Sequence, residues 1–150
     1  MTICADPKPA AVKQVPSCKA LSPRCRQGWH SYEDNCFHLV NLSYAWNNAA
    51  FYCENLSSTL ASVHSQKEYS FLQQLTWKAG FLTAWIAGYR FQSHWRWADG
   101  TVFDYNNWDG SNSYYYECLY LNSDGNKGWS SQQQCELLRP FICSYKPICC

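Results

Sequence analysis

The sequence is short of several things at once, and each shortage excludes something. Charge is scarce: Asp, Glu, Lys and Arg make up 15% of 150 residues, and the net charge is +1. That balance gives no field to gather nucleic acid or an acidic membrane surface. Seven glycines and six prolines are too few for a fibrous or collagen-like chain. No proline lies between Pro23 and Pro140, so the middle reads as one uninterrupted domain between linker-like ends. No apolar run approaches the ~20 residues of a membrane-spanning helix. Residues 1–17 also lack the run of roughly 7–15 apolar residues expected of a secretory leader, so export is inferred from other features. No C-x-x-C pair, H-x-x-x-H pair, H-E-x-x-H or G-x-S-x-G motif occurs. The sequence therefore points neither to a zinc site nor to catalysis, and the expectation is a non-enzyme without a cofactor.

What is present is cysteine and aromatic side chains. There are ten cysteines, and aromatic residues make up 17% of the chain, which together with the low charge excludes disorder. A chain of this length forms a core without staples, burying roughly 68–70% of its unfolded surface. The even, dense cysteines read as a disulfide framework formed in an oxidising compartment, and the expected location is secreted or extracellular. Two helices are legible. Trp46, Ala49, Ala50 and Cys53 repeat on one helical face, with Ser43 as candidate N-cap. Ser65-Gln-Lys-Glu68 has the form of a capping box, followed by an apolar stripe of Tyr69, Leu72 and Leu75 and a terminating Gly80. Short strand-like runs follow at 36–40, 84–87, 95–97, 117–121 and 141–143, with Asp-Gly turns at 99–100, 109–110 and 124–125. Helices early and strands late predict an α+β fold.

Six motifs in order resemble one family. They are Cys25-Arg-Gln-Gly-Trp-His with Cys36; Leu60-Ala-Ser-Val-His-Ser65 with Glu68, Phe71 and Leu72; and Trp85-Ile-Ala-Gly88. Trp95-Arg-Trp97-Ala-Asp99-Gly100, Tyr105-Asn-Asn-Trp108 and Trp129…Cys135…Pro140-Phe-Ile-Cys143 complete the set. In this the chain resembles the C-type lectin-like domain in its long form, with Ala87 standing where glycine is usual. The resemblance implies helices plus antiparallel sheets with a long loop region, stapled by Cys25–Cys36, Cys53–Cys143 and Cys118–Cys135. It also implies an organisation of residues 1–24 as an extension, 25–145 as the lectin-like domain and 146–150 as a cysteine-bearing tail. Cys4, Cys18, Cys149 and Cys150 flank that domain, and their pairing stays open. A bond between the adjacent Cys149 and Cys150 would be strained, so different partners are expected for them. A monomer and a disulfide-linked dimer are both compatible.

Many members of that family bind sugar through calcium, which needs 6–8 oxygen ligands. The resemblance places them on a Glu-Pro-Asn or Gln-Pro-Asp triplet, a glutamate before the third cysteine and a Trp-Asn-Asp triplet. Here residues 108–118 contain no proline, Tyr116 stands at the glutamate position, and the triplet reads Trp129-Ser130-Ser131. Arg90 falls near an auxiliary aspartate position. Asp99, Asp104, Asp109, Asn112, Glu117 and Asp124 read as turn and surface residues. No metal site of the family type is expected.

Aromatic residues occupy that place instead. Trp108, Tyr114, Tyr115 and Tyr116 lie on the loop that meets ligand in the resembling family, and side-chain alternation lets at most two of the three tyrosines share a face. Exposed Tyr and Trp suit protein contacts, and they stack on sugar rings. Of the histidines, His94 lies on a predicted loop within reach of a ligand, whereas His64 is structural. Asn41 and Asn55 head glycosylation sequons. The expected function is a secreted module recognising a glycan or an extracellular protein without the family's calcium site. The alternatives are a venom-type dimeric subunit acting on haemostatic proteins and an ice-binding protein of the type II antifreeze kind. Two departures weigh against these alternatives. The stretch Phe91-Gln-Ser-His94 lacks the venom subunits' interchain cysteine. Tyr89, Asp109 and Glu117 stand where the ice-binding proteins carry extra cysteines.

Overall fold

The computed structural model describes residues 25–110 and 116–147. They fall into two compact units: residues up to His38 together with those from Tyr145 onward, and Leu39–Ser144. Cys4, Cys18, Tyr114, Tyr115, Cys149 and Cys150 lie outside the described residues.

The first unit is built on the hairpin of β1 (His30–Tyr32) with the start of β2 (Asn35–Tyr44), His30 opposite Phe37. The Cys25–Cys36 disulfide closes it. Trp29 packs edge-on against Tyr145 at 4.9 Å, and the Arg26 guanidinium lies 4.3 Å over the same tyrosine ring. The Arg26 N–H also donates to the Tyr145 hydroxyl at 2.7 Å. Burial pushes the His38 imidazole below its usual value.

In the second unit β2 continues into α1 (Trp46–Asn55), β3 (Thr59–Leu60) and α2 (Gln66–Lys78). Strands β4 (Thr83–Phe91), β5 (His94–Trp97), β6 (Cys118–Asn122) and β7 (Arg139–Tyr145) follow. Their order is β2-β7-β4-β5, with β3 on β7 and β6 on β4. The β4–β7 pair is parallel through Trp85 and Phe141, while β5 and β6 both run antiparallel to β4. Residues 84–88 of β4 are buried without interruption, the pattern of a strand covered on both faces. Trp85, Ile86, Leu119, Leu121, Phe141 and Ile142 form the centre of the core, each contributing on the order of 2 kcal/mol by its burial. Cys53–Cys143 ties α1 to β7, and Cys118–Cys135 ties β6 to the segment before β7. With Cys25–Cys36, these are the three pairs that the resemblance implies.

The helices depart from the sequence reading in detail. Ser43 does not cap α1: it is exposed on β2, and Ala45 occupies the N-cap without a side-chain bond. The strand runs on through Tyr44 because its ring packs on Phe141 at 5.7 Å and on Tyr52 at 5.8 Å. The free N–H of Trp46 instead donates to the Cys135 carbonyl at 2.9 Å. Ser65 does cap α2, its hydroxyl accepting from the Glu68 N–H at 3.1 Å, while the Glu68 carboxylate accepts from the His64 N–H at 2.8 Å. At the other end Gly80 takes φ 89°, and Phe81 N–H returns to the Thr76 carbonyl at 3.1 Å. This is the glycine-terminated helix end that satisfies the last carbonyls. The buried face of α2 is Tyr69, Leu72, Gln73 and Thr76; Leu75 is only half-buried. Thr76 spends its hydroxyl on the Leu72 carbonyl at 2.8 Å. Among the described residues no helix is long and apolar enough to cross a membrane.

Candidate functional site

Strand β5 and the segment after it assemble one aromatic cluster around Trp129. Trp97 meets Trp129 edge-on at 5.5 Å and stacks on Phe103 at 4.6 Å. Trp108 packs against Trp95 at 5.0 Å and against Trp129 at 6.1 Å. Tyr105 and Tyr69 close on Trp129 from two further directions, at 5.7 and 5.9 Å. Backbone bonds lock the same contact: Trp129 N–H donates to the Asn107 carbonyl and Asp109 N–H to the Trp129 carbonyl, each at 2.9 Å. These bonds pass beside Gly128, where a Cβ would stand 2.0 Å from the Asn107 oxygen. Only a residue without a side chain allows that approach.

A side-chain chain ties the base of this segment to the start of α2. His64 Nδ1 meets the Asp104 carboxylate at 2.8 Å, and Nε2 meets Thr101 Oγ1 at 3.0 Å. Thr101 Oγ1 gives its own proton to Asp99 Oδ1 at 2.5 Å, and Ser62 donates to Asp99 Oδ2 at 2.6 Å. Thr101 therefore accepts from Nε2, and both partners of the imidazole are acceptors. The hydrogen bond from His64 holds the Asp104 carboxyl below the usual carboxylate range. Because the threonine proton points to Asp99, the arrangement is a clasp rather than an activated nucleophile.

Among the described residues, several donors around the cluster have no partner. The indole N–H groups of Trp95, Trp97 and Trp129, the Asn107 amide nitrogen and Arg90 Nε are all buried without a hydrogen bond. Such groups call for acceptors, which ordered water supplies.

The residues singled out from sequence are distributed as follows. Trp108 sits within the cluster, partly buried, bridged to Trp129. Tyr116 is 38% exposed, with its N–H on the Ser131 carbonyl at 3.1 Å. His94 is not on a loop: it opens β5 opposite Phe91, exposed. A two-residue turn at Gln92 and Ser93, φ 51° and 68°, makes the hairpin that puts it there. His94, Tyr89, Trp95, Arg96, Val102 and Phe103 line a cavity of about 290 Å³. Ser130 and Ser131 are buried, and Ser130 exchanges backbone bonds with Tyr120 at 2.9 and 3.0 Å. Among the described residues no cluster of three or more His, Cys, Asp or Glu side chains is placed to hold a metal. Asn41 on β2 and Asn55 at the end of α1 are exposed. Sequence reasoning noted Arg90 and Asn107 but gave neither a place in this region, since only the folded register brings them beside Trp95 and Trp129.

A sheet carrying a cross-linked aromatic loop region, stapled by three disulfides, defines a lectin-type recognition domain. The chain belongs to the lectin C-type domain family, whose match runs over residues 42–145. It is 40% identical over 89 residues to a ladderlectin of Oncorhynchus mykiss, an alignment covering 57% of this chain. That alignment spans 47% of the ladderlectin, so the chain matches about half of that relative's length. It is 32% identical over 124 residues to snaclec B9 of Macrovipera lebetinus, covering 79% of this chain and 80% of the snaclec. Among solved structures, a calcium-independent type II antifreeze protein is similar with a TM-score of 0.75 and 25% identity. It covers 83% of this chain and 96% of its own.

Proposed function

We propose that this chain is an extracellular recognition module that binds a glycan or protein partner through the aromatic loop region, without a calcium ion and without enzymatic activity. The observation that carries the reading is the state of the positions the family uses for its cation. Ser130 and Ser131 are buried hydroxyl residues inside a backbone ladder, and Tyr116 presents a phenol to solvent. Neutral hydroxyls do not make the charged oxygen shell of a hard-cation site. An exposed aromatic ring such as that of Tyr116 suits a ligand that offers a flat apolar face. The cysteine framework supports an oxidising, extracellular setting, and the exposed Asn41 and Asn55 suit glycan attachment.

A glycan array and a pulldown, each run with and without chelator, test this. The expected result is binding that chelator leaves unchanged and that Tyr116→Ala and His94→Ala weaken. Micromolar calcium binding by calorimetry, with ligand binding abolished by chelation, would overturn it. The likeness to the calcium-independent antifreeze protein favours ice as a second reading. Thermal hysteresis at millimolar protein is its measurement, and a null result removes it.

A further inference from the structure

A second cavity lies outside the loop region, between α2 and the turn after β6. It holds about 460 Å³ and is lined by Ser70, Gln73, Gln74, Trp77, Ser123 and Asp124, within the roughly 300–1,000 Å³ of small-molecule sites. None of these residues contributes to the cluster around Trp129. We infer that this cavity is a binding subsite for a neutral saccharide, with Trp77 as its stacking platform.

Three observations support this. Trp77 is 60% exposed, one position beyond the buried face of α2, so its ring is a large apolar plane that the core does not use. Ser123 is only 5% exposed, and its hydroxyl has no hydrogen-bond partner among the described residues, which is costly unless something completes it. Gln73 is the third. Its Nε2 donates among the carbonyls of Asn122, Asp124 and Lys127 at 3.0, 2.6 and 2.9 Å. Three carbonyl oxygens around one nitrogen fix which way the amide faces, because the opposite orientation would set oxygen against oxygen. That bond set also pins the turn to the helix, so the walls are preformed. The Asp124 carboxylate uses Oδ1 on the Asn126 N–H at 2.9 Å, leaving Oδ2 as a further acceptor.

The lining therefore mixes amides and a carboxylate with the hydroxyls of Ser70 and Ser123, has no cation among the described residues, and includes one exposed indole. An anion finds no counter-charge there, and a purely apolar ligand would leave Ser123 and Asp124 unanswered. Sugar hydroxyls donate and accept at once, and the C–H face of a pyranose ring fits flat on an indole. This subsite stands independently of what the aromatic loop binds.

The test is a ¹H–¹⁵N titration of the full chain with the methyl glycosides of glucose, mannose, galactose and N-acetylglucosamine, chelator present. At least one is expected to shift the Trp77 indole and Ser123 amide signals saturably. Trp77→Ala should weaken that binding about tenfold, the equivalent of one ring-stacking contact, and Trp77→Phe should retain part of it. Tyr116→Ala should leave it unchanged. Three results would each overturn the inference: no saturable shift with any of the glycosides, binding that survives Trp77→Ala intact, or binding lost in Tyr116→Ala, which would place the sugar on the loop instead.

Discussion

Two glycines three positions apart should respond to the same substitution with opposite sign. At Gly128 an added Cβ meets the Asn107 carbonyl oxygen at 2.0 Å and its carbon at 2.8 Å; at Gly125 it meets nothing within 4 Å. Neither residue has a left-handed φ, so alanine is conformationally acceptable at both and only space differs. Replacing such a glycine ordinarily stabilises a protein by about 0.4–1 kcal/mol through the unfolded chain, and Gly125→Ala should do so. Gly128→Ala must push the 107–109 backbone back by roughly 1 Å, an overpacking cost of about 1–3 kcal/mol. That retreat breaks the two 2.9 Å bonds joining Asn107 and Asp109 to Trp129, worth about 0.5–1.5 kcal/mol each. With the unfolded-chain gain subtracted the net loss is about 1–6 kcal/mol, or roughly 2–20 °C in Tm for a chain of this size. Thermal unfolding by far-UV circular dichroism measures both variants. The near-UV spectrum should change only for Gly128→Ala, as Trp108 leaves Trp129. Equal Tm shifts, or a Gly128→Ala protein as stable as the parent with its near-UV spectrum intact, would refute the close-approach argument.

Arg139 is 6% exposed, stacked 3.8 Å over Tyr120 and 4.7 Å over Trp85, with Nη1 on Thr83 Oγ1 at 2.6 Å and Nη2 on Gln133. Burial lowers its pKa, and because a desolvated ammonium cannot reproduce the planar fork, Arg139→Lys should cost more in urea unfolding than Arg139→Met. Removing the Cys53–Cys143 bridge, separation 90, should cost about 4–5 kcal/mol, against about 3 kcal/mol for Cys118–Cys135, separation 17. Guanidinium unfolding of the paired Cys→Ser variants gives the order. The Asp104 carboxyl is held below its usual value by His64, so its contribution is present above the unfolded pKa of about 3.9 and is lost as pH falls through the lower folded value. The stability gap between the parent and Asp104→Asn should therefore close in acid, and a gap that widens below pH 4 would contradict the sign.

The parts of the fold legible in the sequence are those set by local repetition. The Trp46, Ala49 and Cys53 spacing marks a helix because each lands on the same packed face, and all three are buried. The cap at Ser65 was legible because its partner Glu68 is three residues away. Ser43 misled because strand length there is decided by Tyr44 meeting Phe141, a contact across nearly a hundred positions. Leu75 misled because pattern reading credits apolar residues, whereas Gln73 and Thr76 are buried with their hydrogen bonds made locally or across to the 122–127 turn. The strand position of His94 was hidden by a tight turn of Gln92 and Ser93, which carries no glycine or asparagine signal. The Trp77 cavity could not be read at all, since its two walls lie about fifty residues apart.

The loop region shows what holds backbone of this kind in place when its own side chains do the work. Trp129 receives edges or faces from Tyr69, Trp97, Phe103, Tyr105 and Trp108. Pairs of this type add about 0.5–1.5 kcal/mol beyond burial. A glycine beside it admits the Asn107 backbone, and the His64–Asp104–Thr101–Asp99 chain fastens the base. Each of these contacts is short-ranged and intramolecular, so residues 95–110 are fastened by packing and hydrogen bonds within the chain. Packing of this sort leaves indole and amide donors inside the cluster without partners, because flat rings fill space but accept poorly. The same residues that fasten the loop thus fix its chemistry as donor-rich and aromatic.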